Sequence, residues 1–86
     1  MKHYASSQFW DCFEKLPPAI QKRARKNYQR LKDNPQHPSL HYKIVYNGRY
    51  RSVRIGLQYR ALAMEVKDGM LWFWIGSHAE YDKLLA

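Results

Sequence analysis

Arginine recurs along one short stretch of the chain, residues 47–60, which has the pattern of a turn, a strand, a second turn and the start of another strand. The planar guanidinium group fits a phosphate with two parallel hydrogen bonds. A strand that carries several arginines with interleaved tyrosine is therefore either a solvated edge or a surface that holds phosphates. The four arginines are Arg49, Arg51, Arg54 and Arg60.

His78 is the best titrating candidate beside these cations. It follows the last predicted strand and the pair Gly76-Ser77, a position from which it can lean over a sheet face. An unperturbed imidazole titrates at about pH 6.5 and can act as acid or base near neutrality. The plain alternative is a surface histidine at the start of a helix.

The reaction that suits fixed positive charge and a general acid or base is transesterification of RNA. A base takes the proton of the 2′-hydroxyl, cations stabilise the charge at phosphorus, and an acid protonates the departing 5′ oxygen, without a metal. The sequence has no pair of cysteines and no Glu-flanked histidines at the spacing of metal ligands. It also has no glycine-rich phosphate loop and no Gly-x-Ser-x-Gly motif. We therefore predict no metal and no cofactor.

The charge of the chain is unevenly spread. Its 86 residues carry 15 Lys and Arg against 7 Asp and Glu, a formal charge of +8, and residues 22–60 hold eleven basic residues against Asp33 alone. This balance predicts attraction to a polyanion, whether nucleic acid, an anionic membrane or an acidic protein. Because no apolar run approaches the roughly 18 residues of a spanning helix and the first residues lack a signal peptide's apolar stretch, we expect a cytoplasmic protein without a membrane partner.

Two helices are predicted in the first half. Ser6-Ser7 followed by apolar residues at helical spacing indicates a capped helix of about nine residues, which Pro17-Pro18 ends. A charged second helix then runs to Asn34-Pro35. Its narrow apolar stripe consists of Ile20, Ala24, Tyr28 and Leu31.

The second half alternates in polarity and is punctuated by turns at Asn47-Gly48, Gly56-Leu57-Gln58 and Asp68-Gly69. We predict strands at about 40–46, 49–56, 59–67 and 70–76, and a short helix at 78–85. The expected fold is α+β, in a single domain over residues 1–86. An N-terminal helical hairpin packs on a four-stranded antiparallel meander, with a short C-terminal helix and a possible extra edge strand at residues 1–5.

Strand register separates a polar face from a core face. A two-residue turn at Asn47-Gly48 sets Lys43 opposite Ser52 and His41 opposite Arg54. A two-residue turn at Asp68-Gly69 likewise places Leu62, Met64 and Val66 on the core side. Register also puts Arg60 opposite Ile55 on the core side unless the turn at Gly56 contains a bulge. The polar side then includes Ala61, Ala63, Gly76, Trp72 and Trp74, and the two tryptophans either stack on a base or pack under the last helix.

The chain resembles the RelE/ParE toxins of bacterial toxin-antitoxin systems over about residues 6–86. The resemblance is carried by the order of Leu-Pro-Pro, a basic helix ending in Asn-Pro, and three later segments: residues 50–56 (YRSVRIG), 59–63 (YRALA) and 74–81 (WIGSHAEY). For RelE-type members it implies a compact ribonuclease that cuts mRNA on the ribosome and so inhibits translation. It also implies an antitoxin partner that silences the toxin.

Residue by residue, the resemblance assigns a small set of candidate groups. Arg54 takes the place of a strand lysine or arginine, Arg60 matches the Tyr-Arg arginine, and His78 lies where members have arginine or histidine. Tyr81 is near the place of a C-terminal tyrosine. These four are the catalytic candidates. The RNA-binding candidates are Lys43, Arg51, His41, Ser52, Trp72 and Trp74.

Two other functions remain open at the level of sequence. A ParE-like toxin poisons DNA gyrase without hydrolysis, and it would have the same fold and charge. The other alternative is a basic nucleic-acid-binding domain without catalysis.

Overall fold

The computed structural model describes residues 2–85, which form three α-helices and five strands. A single 3₁₀ turn, Pro38–Leu40, precedes the second strand in this part of the chain. The elements in order are β1 (Lys2–Ala5), α1 (Ser7–Glu14), α2 (Pro18–Asp33), β2 (Lys43–Val45), β3 (Tyr50–Ile55), β4 (Tyr59–Val66), β5 (Gly69–Ser77) and α3 (His78–Leu85).

The helices begin and end where the sequence predicts. The Ser6 hydroxyl accepts a hydrogen bond from the backbone N–H of Phe9, which satisfies one of the free donors of the first turn of α1. Pro18 occupies the first turn of α2, where its missing N–H costs nothing, and Asn34 ends that helix. Within residues 2–85 no helix combines the length and the apolar composition needed to cross a membrane.

The sheet has the order β1-β5-β4-β3-β2. Strands β2 to β5 pair as the predicted antiparallel meander, and β1 adds a fifth strand that runs parallel to β5. The α+β prediction is thus confirmed, with a five-stranded mixed sheet in place of a four-stranded antiparallel one.

Helices α1 and α2 cover one side of the sheet, here called the helix face. The main core lies between these helices and the sheet. The other side, here called the outer face, carries a smaller apolar cluster of Leu62, Trp74 and Tyr81, the last contributed by α3. The main core consists of Phe13, Leu16, Ala24, Leu31, Leu40, Val53, Ile55, Ala61, Ala63, Met70, Trp72 and Ile75.

The connection between β3 and β4 corrects the predicted position of Arg60. Arg60 pairs with Arg54 and not with Ile55, because only Gly56, Leu57 and Gln58 separate the paired residues Ile55 and Tyr59. A shift of one residue moves a whole strand's side chains to the opposite face. Ala61 and Ala63 therefore lie in the core, whereas Arg60 and Leu62 lie on the outer face.

A β-bulge in β5 separates the two tryptophans that were predicted to share a face. Ala63 pairs with Trp72 and Leu62 pairs with Trp74, so Phe73 is the extra residue. Trp72 consequently packs in the main core, and Trp74 packs on the outer face.

The edge strand β2 is shorter than predicted. The Pro38–Leu40 turn and a left-handed His41 (φ 43°) replace its first residues. The turn at Asn47-Gly48 keeps the predicted register, with Lys43 opposite Ser52. Ile44 pairs with Arg51 at the sheet edge and is 63% exposed, in a part of the helix face where Arg51 forms an ion pair with Glu65.

Candidate functional site on the outer face

Arg60 lies at the centre of the outer face and is only 7% exposed. Its neighbour on β3 is Arg54 and its neighbour on β5 is Gly76. One guanidinium nitrogen, Nη1, donates a long hydrogen bond (3.4 Å) to the Ser52 hydroxyl. The guanidinium carbon lies 5.3 Å from the centre of the Tyr81 ring, a cation–π arrangement.

This buried cation has few partners. Among the described residues, Arg60 Nε is the one buried side-chain nitrogen or oxygen that has no hydrogen-bond partner, and no carboxylate lies within ion-pair distance of its guanidinium. An unpaired buried charge is destabilising because it loses its hydration without compensation. Arg60 is therefore a donor group with unused hydrogen-bonding capacity, a property suited to an anionic ligand.

Arg54 extends the positive surface toward the edge of the sheet. Its Nη1 donates to Nε2 of His41 (3.0 Å), and its Nε donates to the carbonyl of Gly56 (3.1 Å). The predicted proximity of His41 and Arg54 is thus present, although His41 lies in the turn before β2 and not in a strand.

The Tyr81 ring connects Arg60 with the apolar cluster of the outer face. The centres of the Tyr81 and Trp74 rings are 6.5 Å apart, and both side chains are buried. Gly76 makes this packing possible, since a Cβ there would lie 2.5 Å from Trp74 Cζ2. Trp74 is thus placed as a packing residue under α3, the second of the two roles that the sequence left open.

His78 begins α3 next to this cluster. Its ring centre is 5.7 Å from that of Tyr81, and its Nδ1 lies 3.2 Å from the carboxylate of Asp82, one helical turn away. The pairing with Asp82 leaves Nε2 available, and the side chain is 42% exposed. His78 is therefore an accessible imidazole held by a carboxylate at the edge of the Arg60 site.

A reciprocal cap fixes the start of α3. The Ser77 hydroxyl accepts from the backbone N–H of Glu80 (3.2 Å), and the Glu80 carboxylate accepts from the N–H of Ser77 (3.2 Å). The backbone N–H of His78 also donates to the carbonyl of Gln58 (2.7 Å), which ties the helix to the β3–β4 turn. The position of His78 relative to Arg60 is thus set by backbone contacts.

Two of the candidate residues lie away from the site. Arg51 is on the helix face, where its Nη2 bonds Glu65 at 2.8 Å, and Trp72 is buried beneath the helices with its Nε1 donating to His3. The outer face brings together His41, Lys43, Ser52, Arg54, Arg60, Trp74, His78 and Tyr81.

Asp82 is a residue that the sequence prediction did not include. The sequence does indicate its role, because an acidic residue four positions after a histidine lies next to that histidine on a helix. The Ser77-x-x-Glu80 pattern of a capping box was equally readable. Within residues 2–85, no three His, Cys, Asp or Glu side chains are grouped as metal ligands.

Two groups near the β1 edge of the sheet have shifted pKa values. Burial lowers the pKa of His3 below its usual 6.5, and the charge of Lys32 acts in the same direction. A hydrogen bond from the Tyr4 hydroxyl to the Asp68 carboxylate (2.8 Å) raises the pKa of Tyr4. Both groups lie near β5 residues that precede the bulge, at the edge of the sheet opposite Arg54.

The family relationship agrees with this fold. Residues 18–83 match the family model described as the ParE-like toxin domain. The chain belongs to this family. A ParE-like toxin domain agrees with the resemblance to RelE/ParE toxins that the sequence carries. The comparison with curated protein sequences found no match.

Solved structures with the same fold are distant in sequence. The ParE-like chain is similar to the "RelB-RelE antitoxin-toxin complex from Methanococcus jannaschii" at 16% identity and TM-score 0.69, covering 96% of this chain and 99% of that one. It is also similar to the "YoeB/ParE toxin from Agrobacterium tumefaciens" at 15% identity and TM-score 0.70, covering 91% and 99%. A copper-bound mutant toxin from Helicobacter pylori has 15% identity and TM-score 0.66, covering 93% and 97%.

Proposed function

We propose that this ParE-like toxin domain is an endoribonuclease that cleaves mRNA on the ribosome and is held inactive by an antitoxin protein in the cytoplasm. The observation that carries the proposal is the buried Arg60 guanidinium, which has an unpartnered Nε and lies on the same face as Arg54. A phosphodiester group bound there would accept hydrogen bonds from the guanidinium and reduce the repulsion between the two like charges.

The proposed reaction is transesterification without a metal. The 2′-hydroxyl gives its proton to Nε2 of His78, its oxygen bonds to phosphorus, and the bond from phosphorus to the 5′ oxygen breaks. Water supplies the proton that the departing 5′ oxygen takes up, so the products are a 2′,3′-cyclic phosphate and a 5′-hydroxyl. Arg60 and Arg54 stabilise the additional charge on the phosphorus centre.

Three neighbours support these roles in the proposal. Asp82 lies 3.2 Å from Nδ1 and orients the imidazole. Tyr81 packs against the Arg60 guanidinium in a cation–π arrangement. Lys43 extends the positive surface along β2, and His41 lies in the turn before it, where the RNA backbone would continue.

The experiment is induction of the wild-type chain and of His78→Ala in growing cells, followed by mapping of mRNA ends on ribosomes. His78 is partly exposed, so the variant should fold, and we expect mRNA cleavage to fall by roughly 10²-fold or more. Lys83→Ala on the same helix is the matched control and should cleave like wild type. Equal cleavage by the wild type and His78→Ala would remove His78 from the mechanism.

A gyrase poison is the second candidate, and the match to the ParE-like family model favours it over an unrelated binding domain. The same induction distinguishes the two functions. Double-strand DNA breaks that depend on gyrase, with intact ribosomal mRNA, would support the poison and overturn the nuclease.

A further inference from the structure

A second positively charged surface lies outside the Arg60 site, in a cleft of about 550 Å³ between α2 and the β3–β4 turn. No Asp or Glu is among its lining residues, and no ion pair within residues 2–85 involves its cations. The cations that line it are Lys22, Arg23, Lys26, Arg30 and Arg54.

The arrangement of these cations on α2 is unfavourable for the free protein. Lys22 and Lys26, and then Lys26 and Arg30, are four residues apart on the helix. Like charges at this spacing repel each other and destabilise a helix. An anion in the cleft would relieve that repulsion.

Several contacts hold the walls of the cleft in place. The buried Asn27 side chain donates to the carbonyl of Arg54 (2.8 Å), and its carbonyl oxygen accepts from Arg30 (3.2 Å). Arg30 also donates to the Ser39 hydroxyl (3.3 Å). One guanidinium is therefore positioned by two side chains before any ligand binds.

Glycine 56 shapes the floor of the cleft. Its φ of +69° is a conformation that favours glycine, and a Cβ there would lie 3.0 Å from Arg23 Cδ and 3.2 Å from Arg23 Nη1. The Arg23 side chain thus lies against the turn that sets the register of Arg60.

We propose that this cleft is a second phosphate-binding site, which holds the backbone of the single-stranded RNA whose scissile phosphate lies at Arg60. Guanidinium groups fit phosphate oxygens in pairs, and Arg54 both lines the cleft and lies on the outer face. The phosphodiester chemistry follows from the cleft itself. The identification of the polymer as RNA rests on the proposed function.

The test is equilibrium binding of an uncleavable 2′-O-methyl RNA strand by the full chain, measured by fluorescence anisotropy at several salt concentrations. Lys22→Gln/Lys26→Gln removes two cleft charges. Lys15→Gln/Lys67→Gln removes the same charge from exposed positions outside the cleft and is the matched control. We expect the cleft pair to weaken binding about tenfold and to reduce the log-log salt slope by roughly 1.4, at about 0.7 per phosphate contact on a single strand.

The control pair should change affinity by less than threefold and leave the salt slope as in wild type. Equal losses in the two pairs would overturn the proposal, because net charge alone would then explain binding. The proposal is also contradicted if the Lys22→Gln/Lys26→Gln variant loses affinity for a poly-glutamate peptide and keeps its affinity for RNA.

Two further arms separate this site from the nuclease. The uncleavable strand reports binding without cleavage, so a binding defect limited to the cleft pair supports the cleft even if the chain has no nuclease activity. A DNA strand of the same sequence identifies the sugar. If the cleft pair of substitutions lowers the affinity for either strand, the cleft is a phosphodiester site. Tighter binding of DNA than of RNA would assign the cleft to DNA and contradict the RNA identification.

Discussion

Arg54 and Arg60 lie directly opposite each other on β3 and β4, with both side chains on the outer face of the sheet. Like charges in this relationship are destabilising, and one of the two is almost fully buried. Neither forms an ion pair within residues 2–85. Under the proposed function, this pair is a site that is complete only when an anion is bound.

Replacement of Arg60 by an apolar residue of similar length should not destabilise the protein. Arg60→Met removes an unpaired buried charge and keeps most of the packing volume, so the free energy of unfolding should stay the same or rise by about 1–4 kcal/mol. Urea unfolding at neutral pH measures this. A loss of more than about 2 kcal/mol would mean that Arg60 is chiefly a structural residue.

The β3–β4 turn should be sensitive to substitution at its glycine. Gly56→Ala adds a Cβ at φ +69° and within 3.0 Å of Arg23, whereas Gly48→Ala adds one at φ +85° with no atom within 4 Å. Both substitutions put a residue with a Cβ into the left-handed conformation, which costs about 1–2 kcal/mol. We expect the Gly56 variant to lose more stability in urea, since it also displaces Arg23.

Arg23→Ala supplies the control for that displacement. In its background, Gly56→Ala should cost about as much as Gly48→Ala, because the close neighbour is gone. An unchanged difference between the two glycine variants would show that the contact with Arg23 has no energetic weight.

His3 makes stability depend on pH. Its pKa is lowered in the folded chain, where Nδ1 accepts a hydrogen bond from Trp72 Nε1 (3.1 Å). Between that lowered pKa and 6.5 the unfolded chain binds more protons than the folded one, so stability is lost as pH falls below about 6.5. His3→Gln keeps an acceptor for Trp72 and cannot titrate.

The measurement is the urea midpoint of the wild type and of His3→Gln between pH 7.5 and 5. The wild type should lose more stability over this range than the variant. Parallel curves would contradict the assignment, because the other histidines are present in both proteins.

Asp82 is expected to act through His78. Asp82→Asn keeps the size of the side chain and removes the charge next to Nδ1, so mRNA cleavage should fall roughly tenfold, less than for His78→Ala. Circular dichroism should show an unchanged helix. A loss of activity matched by a loss of helix would assign Asp82 to structure.

The sequence predicts the elements of this fold better than it predicts which face a side chain occupies. The Ser6 cap, the Asn34 stop and the Asn47-Gly48 turn are local features, and the structure confirms each. The face of Arg60 depends on whether three or four residues separate β3 and β4. In the structure three residues separate Ile55 from Tyr59, and the Gly56 turn lies against Arg23 of α2, which is remote in sequence.

The separation of the two tryptophans has a similar cause. Strand alternation alone puts Trp72 and Trp74 on one face, and the bulge at Phe73 places them on opposite faces. Phe73 then packs against Tyr50, with ring centres 4.9 Å apart, and Trp74 against Tyr81. No local pattern in β5 indicates this bulge, and the aromatic rings that Phe73 and Trp74 pack against belong to other elements, β3 and α3.

The most direct test of the proposed outer-face site compares two arginine variants in the same induction experiment. Arg60→Met removes the guanidinium from the outer face, and Arg51→Met removes one from the helix face, where Arg51 forms a partly exposed ion pair with Glu65. Cleavage of ribosome-bound mRNA should fall roughly 10²-fold or more in Arg60→Met and stay within a few-fold of wild type in Arg51→Met. Full cleavage by a folded Arg60→Met variant, or an equal loss in both, would contradict the assignment of the site to the outer face.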